Sequence, residues 1–418
     1  MATWLRSLTL GAAMVLAVVA VATFIPSEAA YKQAREAAFT TDQIDLGLQY
    51  ALERRCFMWT LQAIELALLA GMALTGCGRW LADRFLAWTG QRRVLAALGV
   101  AAVYAIAHEL LYLPVGIARF YHTKAWGMSN LELDGWLRDH AIGLGIYAVI
   151  GVVTIGGLYW LLILFPRTWW VIATVGGTVL SAAFIFLSPI LINPLFNDFT
   201  PLSQTEWKDQ QPRVQKLIKD AEIPVEEILV MDASRQSNHT NAYFTGFGST
   251  RRIVLYDTLL KNHTPDEIDS VLAHEIGHWM HHHIYLGVLL GAAAGFVGFF
   301  LLDRILRLAV AHPPWQLQSV GDPASVPLVL LLVYLGSWAV MPLENAVIRL
   351  FERQADAVSL DLAGQPDAFI ACEKKMAIDN KSNVAPTPWG VWIFSTHPPT
   401  VERIQMAEEW RRRRRMQD

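Results

Sequence analysis

Charge is scarce in this chain: 17% of its 418 residues are Asp, Glu, Lys or Arg, against about 25% in an ordinary soluble domain. With a mean hydropathy of +0.32, that deficit excludes a typical water-soluble enzyme and points to a polytopic membrane protein. Net charge is also small, −3, which argues against nucleic acid or a strongly charged partner. Cysteine is nearly absent: Cys56, Cys77 and Cys372 form no metal-ligand spacing. Cys56 and Cys77 flank opposite ends of one apolar segment, so no disulfide framework is expected. Internal repeats are lacking, and the only biased tract is Arg411–Arg415. That run favours a cytoplasmic C-terminus, with a solvated helix end as the bland alternative.

Long apolar runs are plentiful. Seven candidate spans of about 17–25 residues read as Leu8–Phe24, Phe57–Cys77, Val94–Leu113, Ile142–Phe165, Trp169–Leu191, Ile284–Leu302 and Val326–Val340. The last is short and is expected to continue as helix beyond Pro342. The first, ending near Ser27-Glu28-Ala29-Ala30, also has the form of a signal peptide; a retained span is preferred. Glu65, His108 and Glu109 lie within spans, where ionisable groups face a protein interior or pair between helices. The expected division is 1–192 for five spans, 193–283 for a first soluble stretch, 284–342 for two spans and 343–418 for a second soluble stretch.

Within 193–283, Ser203-Gln204-Thr205-Glu206 reads as a capping box opening a helix towards Ile223, kinked or divided by Pro212. Ile228–Ser234 and Arg251–Leu260 contain strand-like β-branched runs around a turn-rich segment.

The chemistry is concentrated in His274-Glu275-Ile276-Gly277-His278, an H-E-x-x-H pattern. On a helix, residues i and i+4 share a face, so both imidazoles reach one ion with the Glu alongside. Thr264-Pro265-Asp266-Glu267 supplies the N-cap, first-turn proline and capping-box Glu for that helix. A catalytic zinc takes three protein ligands and keeps one position open. Glu352 is the third candidate, and Asp356, one turn on, is placed to accept the other N–H of a ligating imidazole. The bland reading is a charged helix face around Arg353. Two spans separate His274 from Glu352, an even number, so both lie on one side of the bilayer.

H-E-I-G-H-W, E-R-Q-A-D, "NAYFTGF", "RRIVLYDTLL" and "FSTHPPTVERI", with "LPVGIARFYHTKAWGMSNLELDGWLRD" and "LINPLFNDFTPL", together resemble the CaaX prenyl protease 1 family of integral-membrane zinc endopeptidases, over nearly the whole chain. The resemblance implies a mainly α, polytopic protein: about seven transmembrane helices around an intramembrane chamber, closed by a gluzincin-like zinc protease domain with a small β-sheet. It implies one zinc on His274, His278 and Glu352, Glu275 as catalytic base, and His397 steadying the oxyanion. It also implies a supporting role for Arg403 and substrate contact along Asn241, Ala242, Tyr243 and Phe244, whose bland reading is an ordinary turn. Implied partners are a peptide or protein substrate, with or without a lipid tail, and the bilayer, not nucleic acid. The implied location is a bacterial inner membrane, or the endoplasmic reticulum or inner nuclear membrane in a eukaryote, with the zinc domain cytoplasmic. Arg79, Arg84, Arg92 and Arg93 then fall in an outward loop, against the positive-inside tendency. His281, His282 and His283 are expected to mark the water–lipid boundary, and His239 and His263 to lie on the surface. The rival readings are a quality-control membrane protease and a transporter in which H-E-x-x-H is incidental.

Overall fold

The computed structural model describes residues 2–25, 27–246, 251–310, 312, 315 and 317–417, without the side chains of 2–6 and 8. The part of the turn-rich segment at 247–250, including Phe247 of "NAYFTGF", lies outside the described residues. The membrane-associated helices are α1 (Ala2–Thr23), α2 (Glu28–Glu36), α3 (Thr41–Leu74), α4 (Cys77–Trp88), α5 (Arg93–Ala125), α6 (Leu133–Leu164) and α7 (Trp169–Leu191). After β1 (Phe199–Pro201), α8 (Gln211–Asp220), β2 (Glu227–Met231), β3 (Ala242–Thr245), β4 (Arg252–Tyr256), α9 (Asp257–Asn262) and α10 (Pro265–Met280), the chain returns to the bundle. It does so as α11 (His283–Ala309) and α12 (Val326–Ala363), and finishes with α13 (Pro366–Asp379), α14 (Pro388–Phe394) and α15 (Thr400–Arg415).

Among the described residues, six helices are long and apolar enough to cross a membrane, and a seventh span forms if the bent pair Thr9–Thr23 and Glu28–Glu36 is one crossing. Six of them close a ring: α12 packs on α3, α3 on α5, α5 on α6, α6 on α7, α7 on α11, and α11 returns to α12. α12 is decisive for function. At 1.5 Å per residue its 38 residues run about 57 Å, nearly twice a hydrocarbon core of about 30 Å. It passes through Pro342 unbroken, and its second half packs on α10.

The ring end remote from the sheet holds a hydrophobic core. Leu81, Tyr159, Leu162, Trp169, Leu306 and Trp315 are buried in one cluster there. Arg79 is paired with Asp83 and with the buried Asp322, each at 2.7 Å, so it does not act as a free positive charge in that loop. The intramembrane ionisable groups pair between neighbours: Tyr104 donates to Glu65 at 2.5 Å, His108 lies 3.4 Å from Glu65, and His140 bonds Glu109 at 2.7 Å.

At the other end, a four-stranded sheet of order β1-β2-β4-β3, with only β2 and β4 parallel, packs on α10. Alternation along β4 sends Ile253 and Leu255 towards Ile268, Leu272 and Ile276 of α10, and Val254 to the opposite face with Leu229 and Met231, as a period of two requires. The helix expected from Ser203 does not form. A 3-10 turn occupies Leu202–Gln204, and α8 begins at Gln211 with Pro212 in its first turn. There the missing N–H breaks no bond, so Pro212 starts the helix instead of kinking it. The box at Thr264 does form: Thr264 N–H donates to Glu267 at 2.9 Å, and Glu267 N–H to Thr264 Oγ1 at 3.3 Å. All three cysteines are free.

Candidate metal centre

α10 has three faces with different tasks. Ile268, Leu272 and Ile276 hold the sheet; Ala273 and Gly277 are buried on the way to α12; His274 and His278 share the remaining face. Gly277 sets the distance between the two helices. A Cβ there would meet Ala355 Cα at 2.8 Å and Ala355 O at 3.1 Å, so only glycine lets α10 approach α12 this closely. Ser359 Oγ donating to Ser270 O at 2.7 Å ties the same pair.

That approach brings three ligand atoms together. His274 Nε2 and His278 Nε2 are 3.2 Å apart, His274 Nε2 lies 3.3 Å from Glu352 Oε2, and His278 Nε2 lies 3.4 Å from Glu352 Oε1. A tetrahedral zinc with ligand bonds of 2.0–2.1 Å requires ligand–ligand separations of about 3.3 Å, so the spacing fits. Glu352 Oε2 is buried and makes no hydrogen bond, an expensive arrangement unless a cation satisfies it. Electrostatics agree. Burial opposes charge on His274, but Asp356 and Glu352 outweigh it and push its pKa up to about 10. Burial, and then the charge on His274, lower His278 to about 4. The carboxylates around His274 thus favour positive charge at this point of the site.

Around these atoms stand further groups. His274 Nδ1–H donates to Asp356 at 2.8 Å, leaving Nε2 free. Asp356 is fully buried and is held by Arg403, Nε to Oδ2 at 2.8 Å and Nη2 to Oδ1 at 2.5 Å, while Arg403 Nη1 reaches Glu373 at 2.6 Å. Burial alone would lower the Arg403 pKa; Asp356 and Glu373 outweigh it and raise it. Burial pushes Glu275 up to about 7, opposed in part by a hydrogen bond from the Phe244 backbone. His397 is exposed, with Nε2 3.1 Å from Glu352 Oε2 and Nδ1 2.9 Å from Thr396 Oγ1.

β3 lies at the sheet edge, paired with β4 in the register Ala242↔Leu255 to Thr245↔Arg252. Ala242 is buried, Tyr243 OH accepts from Asn193 at 3.1 Å, and Phe244 packs on Trp279 with ring centroids 5.0 Å apart. Asn241 is exposed, and its Oδ1 accepts from Ala242 N at 2.9 Å.

Two histidines depart from expectation. His283 is buried, not at a water–lipid boundary: the turn after α10 folds it back beneath His278, while His281 and His282 are exposed. His263 is also buried, because α9 ends against α13 and places it 3.8 Å from Cys372. His239 is half-buried and bonds Asn380 at 2.9 Å. Glu373 and Gln354 were given no role from the sequence; Glu373 stands in no motif, Gln354 lies inside E-R-Q-A-D, and only the fold gives each its partner.

The protein-family comparison agrees with this geometry along the chain. Residues 204–411 match the model of peptidase family M48, and residues 23–198 match the CAAX prenyl protease N-terminal region of five membrane helices. An uncharacterized metalloprotease, YhfN, from Bacillus subtilis is 31% identical over 76% of this chain and 74% of its own length. The chain belongs to the CAAX prenyl protease group of peptidase family M48. The Arabidopsis thaliana CAAX prenyl protease 1 homolog is 28% identical over 86% of each chain, and CAAX prenyl protease 1 of Saccharomyces cerevisiae is 30% identical over 69% of this chain and 66% of its own. The crystal structure of S. mikatae Ste24p shares the fold, with a TM-score of 0.78 at 23% identity over 94% of this chain and 98% of that one. This family member is therefore a multi-pass membrane zinc metalloprotease, acting on peptide or protein substrates in a lipid environment.

Proposed function

We propose that this protease carries one zinc on His274, His278 and Glu352 and hydrolyses peptide bonds at the cytoplasmic face of its membrane, with CaaX-type C-terminal segments, lipid-tailed or not, as its substrate class. The observation that carries the reading is the buried Glu352 carboxylate, with Oε2 3.3 Å from His274 Nε2 and Oε1 3.4 Å from His278 Nε2, the spacing of a tetrahedral site. Bound zinc supplies a Lewis acid that polarises a carbonyl and acidifies water to a pKa of about 7.

Glu275 removes a proton from the attacking water and returns it to the leaving amine, work worth about 10²–10⁴-fold. His397 donates Nε2–H to the developing oxyanion, in the tautomer whose Nδ1 accepts from the Thr396 hydroxyl 2.9 Å away. One such donor is worth about 2.7–4 kcal/mol. The outer backbone edge of β3, from Asn241 to Phe244, aligns an extended substrate by strand pairing, next to a base already touching Phe244. Asp356 and Arg403 hold His274 in its ligating tautomer. Nucleic acid has no part in this reading. A bacterial inner membrane suits it, and the terminal arginines favour a cytoplasmic zinc domain.

The test compares wild type with Glu275→Gln in detergent, by zinc content and cleavage of a fluorogenic CaaX-type peptide. One zinc per chain in both, with cleavage lost only in the variant, is expected. Equal cleavage by the two proteins overturns the assignment.

A further inference from the structure

His283 stands on no ligand position, yet its burial is as complete as that of the ligands. It is 5% exposed, its ring lies flat on Phe351 at 4.2 Å and 12°, and both nitrogens are used. Nδ1 is 2.9 Å from His278 Nδ1, and Nε2 is 2.9 Å from Gln354 Oε1.

Two ring nitrogens facing each other at 2.9 Å cannot both be donors or both acceptors. A neutral imidazole has one of each. As a metal ligand through Nε2, which faces the same point as Glu352, His278 must keep its lone pair on Nε2 and its proton on Nδ1. His283 Nδ1 must then accept, which puts the His283 proton on Nε2, where Gln354 Oε1 receives it. Every proton along the line is determined by one glutamine carbonyl on α12, two residues past Glu352.

We infer that His283, fixed by Gln354 and Phe351, is a positioning residue that locks His278 in the tautomer and ring orientation needed to bind the metal, as Asp356 does for His274. The two ligand imidazoles are thus steered by different chemistries: His274 by a buried carboxylate, His278 by a neutral imidazole. This inference rests on the reading that the Nε2 atoms of His274 and His278 are ligands.

The measurement is zinc affinity of the purified full-length protein in detergent, by competition with a chromophoric chelator, alongside thermal melts. His283→Phe keeps the ring stacked on Phe351 but offers no acceptor, and zinc should bind about 10–100-fold more weakly. His283→Asn puts a carbonyl oxygen near the Nδ1 position and should restore affinity to within a few-fold of wild type. Gln354→Met, which leaves His283 in place, should weaken binding about two- to tenfold, and keeps the question open to test should the Phe variant fail to fold. Wild-type affinity in folded His283→Phe, or in Gln354→Met, overturns the inference while leaving the metal assignment intact. A wild-type protein that binds no zinc overturns both.

Discussion

The zinc domain and the membrane ring treat buried charge in opposite ways. Around the metal centre, polar groups form continuous lines: His274 to Asp356 to Arg403 to Glu373, and His278 to His283 to Gln354. In the ring, ionisable groups meet as short local sets, Glu65 with Tyr104 and His108, and Glu109 with His140, and Glu65 Oε2 is buried without a hydrogen bond. Packing follows the same division. α10 and α12 touch backbone to backbone at Gly277, whereas α7 and α11, though packed on each other, fully bury no residue of their most apolar stretch. A metal site must be held to a few tenths of an ångström; a ring in lipid needs only to stay closed.

The sharpest way to break that contrast is Arg403→Leu. It strands the fully buried Asp356 without its guanidinium, a defect worth about 3–5 kcal/mol, so melting in detergent should fall by more than for any single ring substitution, with zinc affinity falling too. Gly277→Ala follows: the clash with Ala355 should destabilise by about 1–3 kcal/mol and part the ligand helices, read as weaker zinc binding. In the ring, Glu109→Gln should change stability by only about 0.6 kcal/mol; an effect as large as that of Arg403→Leu would erase the distinction. A further effect is a pH dependence. Burial lowers the His263 pKa below its ordinary value near 6.5, so the unfolded chain takes up a proton that the folded one resists. That contribution to stability is present above about pH 6.5 and lost as pH falls, at no more than about 1.4 kcal/mol per pH unit. Melts from pH 7.5 to 5.5 should show a shallower slope for His263→Gln than for wild type.

The basic C-terminus shows how far charge alone can be read. Arg353 with Glu402 at 3.1 Å, Asp356 with Arg403, and Asp361 with Trp410 at 2.7 Å form a ladder between α12 and α15. α15 therefore runs in the same direction as the second half of α12, and Arg411–Arg415 stand at the end of the domain remote from the ring.

What was legible from residues alone was whatever depends on local period and residue type. The apolar runs, the H-E-x-x-H helix with its cap, the strands at Ile228 and Ile253, and the carboxylate one turn past Glu352 all repeat at 3.6 or 2 residues or sit at fixed offsets, so neighbours in sequence declare them. Tertiary structure alone decided the rest. His283 became a partner of His278 because a left-handed residue, His282 at φ 55°, turns the chain between α10 and α11. Glu373 met Arg403 because α13 and α15 cross, and Gly277 acquired its meaning from Ala355, 78 residues away. Contacts between distant segments leave no period in either segment, so the sequence names candidate ligands and the carboxylate beside them, while the folded chain supplies the remaining contacts that hold them still.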